Sequence, residues 1–248
     1  MKTRLWLIVV VSLLVSASLG GAEDVAGLPL HMQKLDEGTI RLWLGDHGTS
    51  TAIVAFATEK GIVVVDTFGI PEVDTRLREA IAREFRRSDF THLINTHEHR
   101  DHTGGNSVYA DCTIVGHELV AAGLEQDARN RERLLEIYPG WIAELEAELE
   151  GAEAGSQEAA RLEEDLILRR MNFAYLKAGL TPLLPTVTFS DRMTLDMVDT
   201  TFDLSFIGGM HTASDIAVFV PERGLLLTGD TMADVWLTDT PGCLASFS

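Results

Sequence analysis

The run Thr96-His97-Glu98-His99-Arg100-Asp101-His102 offers three imidazoles and a carboxylate at metal-ligand spacing: His97, His99, Asp101 and His102. Imidazole nitrogen and carboxylate oxygen suit zinc and other first-row divalent cations, and the absence of thiols argues against a purely structural zinc site. The spacing adds direction. On an extended segment, residues two apart point the same way, so His97 and His99 converge on one cation. After the chain turns, Asp101 and His102 face a second. Two later segments offer donors of the same kind. Gly208-Gly209-Met210-His211-Thr212 supplies an imidazole, and Gly229-Asp230 supplies a carboxylate whose two oxygens can bridge two cations. A lone histidine after a strand is more often structural, so neither later segment carries weight alone. Together and in this order they point to metal-assisted hydrolysis, in which a cation-activated hydroxide attacks an ester, thioester, amide, lactam or related bond.

Such donors need strand ends to hold them. Thr39 to Leu44, Thr51 to Thr58 and Gly61 to Asp66 read as short strands, with the turn residues Gly45 to Gly48 between the first two. Pro71 opens a helix on which Val73, Leu77, Ile81 and Phe85 recur at helical spacing. His92 to Asn95 is a brief strand ending at the histidine-rich run, and Cys112 to Gly116 is another. Strand signals resume at Thr186 to Phe189, Met193 to Met197, Thr201 to Phe206, Asp215 to Val220 and Gly224 to Thr228. His211 and Asp230 therefore also follow strands, in the loops where an α/β architecture places ligand-binding residues. Two blocks of strands with interleaved helices predict an α/β protein of layered sheets.

Residues 118–180 differ in character. Leucines, isoleucines and Trp141 sit among dense Glu and Arg, with breaks expected at Tyr138-Pro139-Gly140 and at Gly151 to Ser156, and a further helix from about Glu158 to Lys177. This is a helical insertion whose charge run reads most simply as a solvated face. A lid or a surface for self-association is the sharper alternative. The remaining histidines carry less: His117 reads as a local cap or packing residue, His92 as packed beside its strand, and His31 and His47 have no partner in sequence. Trp43 reads as a half-buried core residue.

At the N-terminus, Lys2 and Arg4 precede an apolar run from Leu5 to Val15, and Gly20-Gly21-Ala22 gives a small-residue ending. That pattern predicts a secretory leader over residues 1–22, a mature domain over 23–248 and a periplasmic or secreted location, with no stable membrane anchor after cleavage. The net charge of −18 argues against nucleic acid as a partner. The two cysteines, Cys112 and Cys243, are no disulfide framework and read as packed thiols.

His97-x-His99-x-Asp101-His102, then His211, then Gly229-Asp230, resembles the metallo-β-lactamase superfamily from about Leu42 to Asp230. The resemblance implies a four-layer αβ/βα sandwich and a small-molecule substrate. It implies Zn2+ as the cofactor, two ions in the full site, with Fe or Mn as other occupants. His97, His99 and His211 would hold the first ion, Asp101 and His102 the second, and Asp230 would bridge them. Asp101 would also orient the nucleophile. Asp66, at the end of Val63-Val64-Val65, matches the family's strand-terminal aspartate that supports the metal loop, and Asn95 and Thr212 are further candidates for supporting the ligands, with no partner readable from sequence. The family's last histidine has no counterpart after His211, so the C-terminal part of the domain is expected to lie beyond Ser248. An aspartate at 230, where many true β-lactamases of the superfamily carry cysteine or serine, looks more like the glyoxalase II and general hydrolase branches. The alternatives are a mononuclear iron sulfur dioxygenase using only His97, His211 and Asp230, a β-lactamase, and a non-catalytic metal-binding protein.

Overall fold

The computed structural model describes residues 23–48 and 50–232. The expected leader, Cys243 and everything after Met232 lie outside the described residues. Among the described residues, twelve strands and four α-helices follow one another as β1 (Glu23–Val25), β2 (Leu28–Asp36), β3 (Thr39–Leu44), β4 (Ile53–Thr58), β5 (Gly61–Val65), α1 (Pro71–Phe85), β6 (Phe90–Ile94), the one-turn α2 (Arg100–Thr103), β7 (Thr113–His117), α3 (Val120–Gly151), α4 (Gln157–Ala178), β8 (Val187–Phe189), β9 (Arg192–Asp196), β10 (Thr201–Phe206), β11 (Ile216–Val220) and β12 (Leu225–Leu227). None of the described helices is long and apolar enough to cross a membrane.

β1 to β8 form one sheet in sequence order, antiparallel up to β5 and parallel from β5 to β8. β9 to β12 form a second, antiparallel sheet. The sheets pack face to face. Phe56, Val63, Val65, Ile94 and Val115 of the large sheet meet Phe202, Leu204, Ile216 and Val218 of the small one, with Phe56 and Phe202 edge to face at 5.0 Å. Each such fully buried side chain contributes about 1.5–3 kcal/mol. The other face of the large sheet is covered by α1, through Val73, Leu77 and Ile81, and by Leu168 of α4. The described layers are therefore helix, sheet, sheet. The helical layer expected over the smaller sheet is not among the described residues.

The expected strands appear within two residues of their predicted bounds. Two further strands, β1 and β2, extend the antiparallel edge where none was expected. The insertion is two long helices, and the break expected at Tyr138-Pro139-Gly140 does not occur: α3 runs straight through Pro139. A proline inside a helix costs about 3 kcal/mol in lost hydrogen bonding and steric clash. Tertiary contact overrides it here, since Tyr138 stacks on Phe173 of α4 at 5.6 Å and Arg169 of α4 lies over Tyr138 and Trp141. The break at 151–156 does occur. Ser156 caps α4 by accepting the Ala159 N–H at 3.0 Å, and Gly179 ends the helix in a left-handed conformation.

Candidate metal centre

Four strand ends meet at one rim of the two sheets. β5 ends at Asp66, β6 runs into Asn95 to His102, β10 runs into the loop carrying His211, and β12 runs into the turn carrying Asp230. Two backbone hydrogen bonds extend the parallel ladder under the metal loop, Asp66 N–H to Ile94 O (2.8 Å) and Asn95 N–H to Val115 O (2.9 Å). A third, Ile216 N–H to Thr96 O (2.9 Å), ties the two sheets together at that loop.

The structure brings all six sequence-predicted donors together. His97, His99, His211 and Asp230 present ligand atoms that lie within 4.8 Å of one another, and so do Asp101, His102 and Asp230, with Asp230 common to both groups. His99 Nδ1 and His211 Nε2 are 3.1 Å apart. Two nitrogens on one tetrahedral zinc at ordinary bond lengths sit about 3.3 Å apart.

The hydrogen-bond pattern fixes which ring nitrogens face the centre. Asp66, held in a left-handed conformation (φ 63°), accepts from the Thr96 N–H and hydroxyl, both at 2.7 Å, and from His102 Nδ1 at 2.9 Å. With its one hydrogen given to Asp66, the Thr96 hydroxyl oxygen accepts from His97 Nδ1 at 3.1 Å. Both histidines are thus oriented from behind, and the Nε2 atoms of His97 and His102 are buried without a hydrogen-bond partner. Buried nitrogens of this kind demand an explanation. A cation held between them and the carboxylates supplies one, so the donor set fits divalent metal.

Electrostatics agree. Burial, and next the His102 imidazole, push His97 down to about 2, so it is neutral and carries the lone pair a metal requires. Burial, then His99, likewise lower His211. Burial opposes charge on His102, but Asp66, Asp101 and Asp230 outweigh it and hold its value well above ordinary histidine. Burial would raise the Asp230 carboxyl, yet His102, then His97 and His211, hold it well below the usual carboxylate range. Three carboxylates crowd one buried imidazole, which is a site that attracts positive charge.

Asn95 is buried and clamps the loop from below, donating to His102 O and Asn106 Oδ1, both at 3.0 Å. Thr212 is bonded to Asp215. Its hydroxyl donates to Asp215 Oδ1 at 2.6 Å. Asp215 also accepts the N–H groups of His211 (2.6 Å) and Thr212 (2.8 Å), and so it holds the His211 loop. Sequence reasoning missed Asp215, although its place at the mouth of β11 was a usable signal. It also missed Thr51, whose hydroxyl donates to Asp101 Oδ2 at 3.0 Å, and Glu98, which is buried and accepts from the Ser214 hydroxyl. Gly229 has φ +54°, and a Cβ there would fall 2.5 Å from Thr96 Oγ1, so only glycine lets Asp230 approach the loop this closely. His117 is a packing residue as expected, bonded to Ser190 O at 3.0 Å and stacked on Phe206. His31 has found a partner, Asp46, at 2.8 Å and stacks on the half-buried Trp43.

Comparison with known proteins follows the same lines. Among curated proteins, 2,4-dinitroanisole O-demethylase subunit alpha of Nocardioides sp. (strain JS1661) is 32% identical over 116 residues, 46% of this chain and 34% of that one. Its subunit beta is 31% identical over 93 residues, 37% of this chain and 29% of that one. The matched region thus spans about a third of the length of these relatives. Among solved structures, a metallo-beta-lactamase from Pontibacter korlensis superposes with TM-score 0.50 at 20% identity, covering 79% of this chain and 69% of that one. Metallo-beta-lactamase IND-7 superposes with TM-score 0.52 at 13% identity, covering 82% and 71%. At such identities these likenesses speak for the fold alone. The sequence model of the metallo-beta-lactamase superfamily matches residues 44–235, most of the chain, and the chain belongs to that superfamily.

Proposed function

We propose that this chain is a metal-dependent hydrolase that binds two divalent cations, zinc by the chemistry of its donors, and cleaves an ester, thioester, amide or related bond of a small molecule. One observation carries the reading: two donor groups share Asp230, and the inward Nε2 atoms of His97 and His102 have no hydrogen-bond partner. His97, His99 and His211 would hold one cation and Asp101 and His102 the other, with Asp230 common to both groups. When bound, the cations would lower the pKa of water at the site from about 15.7 toward about 7 and polarise the scissile carbonyl. The chain's own residues hold the geometry. Asp66 and Thr96 fix the imidazoles of His102 and His97, Asp215 fixes the His211 loop, and Thr51 turns the Asp101 carboxylate toward His102.

A recess of about 290 Å³ opens beside His99, walled by Glu98, Leu119, Ala122, Gly123 and Ala213. It takes the group flanking the scissile bond, so the first turns of α3 contribute to substrate choice. Export, proposed from the Lys2 to Ala22 pattern, would place this chemistry outside the cytoplasm. The likeness to an O-demethylase subunit adds aryl methyl ethers to the substrates worth testing.

The test is metal content together with hydrolysis of β-lactam, thioester, lactone, phosphate ester, sulfate ester and 2,4-dinitroanisole. Two zinc per chain with turnover of one class, abolished in His99→Ala and Asp101→Ala, is the expected result. Turnover that survives both substitutions overturns the reading. Iron near one per chain with oxygen uptake would replace hydrolysis by a dioxygenase reaction.

A further inference from the structure

One buried carboxylate of the helical insertion is bonded to a loop that leads to the metal centre. Glu164 lies on α4 and is only 5% exposed, although it sits in a run rich in solvated Glu. Its Oε2 accepts the backbone N–H of Asp46 at 2.7 Å and that of His47 at 3.2 Å, and its Oε1 lies 3.3 Å from the same His47 nitrogen. Both donors belong to the loop joining β3 to β4. Gly45, where that loop begins, has φ +82°, and a Cβ there would fall 2.2 Å from the Glu164 carboxyl carbon. The carboxylate is therefore seated directly on the loop backbone. Bonds from backbone N–H to an ionised carboxylate are among the stronger hydrogen bonds in proteins.

The far end of the loop touches the metal centre. Ser50 staples its base, donating to Leu44 O at 2.6 Å and accepting Leu44 N–H at 3.1 Å. Thr51 follows immediately and donates to Asp101 Oδ2. That same oxygen lies 3.6 Å from His102 Nε2. Thr51 thus stands between the loop that Glu164 holds and the carboxylate of Asp101.

We propose that Glu164 is a positioning residue: it holds the β3–β4 loop in place and, through Thr51, sets the orientation of Asp101. The insertion is on this view part of the active-site scaffold and not only a solvated appendage. The inference rests on reading Asp101 as a metal ligand but does not require any particular substrate.

Three variants test it: Glu164→Ala, Glu164→Gln, and Leu162→Ala, which empties a buried apolar position on the same helix and leaves the Glu164 carboxylate in place. Amide hydrogen exchange at Asp46 and His47, Co2+ titration followed by visible absorbance, and thermal unfolding are measured on each. In Glu164→Ala, exchange at the two amides should accelerate by about tenfold or more, the scale of one lost hydrogen bond to a charged group. The weaker Co2+ step should lose about tenfold in affinity while the tighter step is unchanged. Glu164→Gln, which keeps one acceptor oxygen, should fall between, and Leu162→Ala should lower the unfolding midpoint without either effect. The inference is overturned if loop exchange is unchanged in Glu164→Ala, or if Glu164→Ala and Leu162→Ala differ only in stability. The two claims can fail separately. Glu164→Ala effects on Co2+ binding and exchange, seen in a protein whose wild type hydrolyses nothing, sink the hydrolase reading alone. An active wild type whose Glu164→Ala variant matches Leu162→Ala sinks the positioning role alone.

Discussion

At the scale of single residues, the centre depends on groups that never face the cations. Asp66 collects three donors at once, and two of them orient His97 and His102. Asp66→Asn keeps the shape but loses the acceptor that fixes both rings. Metal affinity should fall by about 10–100-fold, read by competition with a chelator, with the fold intact by circular dichroism. Asp74 offers a second test, away from the metal. It is fully buried at the start of α1, and burial raises its carboxyl to about 7 against the lowering effect of the Phe68, Gly69 and Ile70 N–H groups. The folded state therefore holds this proton at a pH where the unfolded chain has released it. Its stabilising contribution is complete below about pH 4 and is lost as pH rises through 7. Between pH 5 and pH 8, wild type should lose about 2 kcal/mol relative to Asp74→Asn in urea unfolding, and an unchanged difference would refute the assignment. Burial also raises the Cys112 thiol to about 12, so its peptide should label slowly with iodoacetamide at neutral pH until the chain is unfolded.

At the scale of elements, local pattern and tertiary context divide the work. β3, β10 and the start of α1 were legible because alternation, proline placement and helical spacing agree there with the final packing. β2 was not legible: Pro29 stands inside it, and its charged and polar residues dilute the alternation, yet as a near-edge strand it pairs with β3 along most of its length. Pro139-Gly140 misled in the opposite direction, since a strong local breaker is held helical by stacking against α4. Pro139→Ala should then stabilise the protein by about 1–3 kcal/mol, seen as a raised unfolding midpoint; a lowered midpoint would mean that the ring's packing outweighs its helix penalty. The metal donors were readable because each lies at a strand end in a fixed order. Glu164 was not, because α4 buries Leu162, Glu164, Leu166 and Leu168 on more than one face and so leaves no amphipathic stripe to mark the odd carboxylate.

At the scale of the whole molecule, the sheets converge on a rim where three carboxylates surround a buried imidazole, in a chain whose formal charge is −18. A cation that binds only the folded form should shift the unfolding equilibrium strongly. Zinc at a hundred times its dissociation constant should add about 2.7 kcal/mol, and a chelator should reverse the gain. No shift with zinc, cobalt or manganese would remove the metal centre from the account. Between β7 and β8 the chain leaves the large sheet, builds α3 and α4, and returns to pair in parallel beside the strand it left, Val115 opposite Val187. A departure and a return at adjacent positions leave the register of the large sheet independent of the excursion's length. Substitutions at Leu119 or Ala122 should therefore reshape the recess beside His99 without disturbing the sheet, while Glu164 on α4 keeps its seat on the β3–β4 loop.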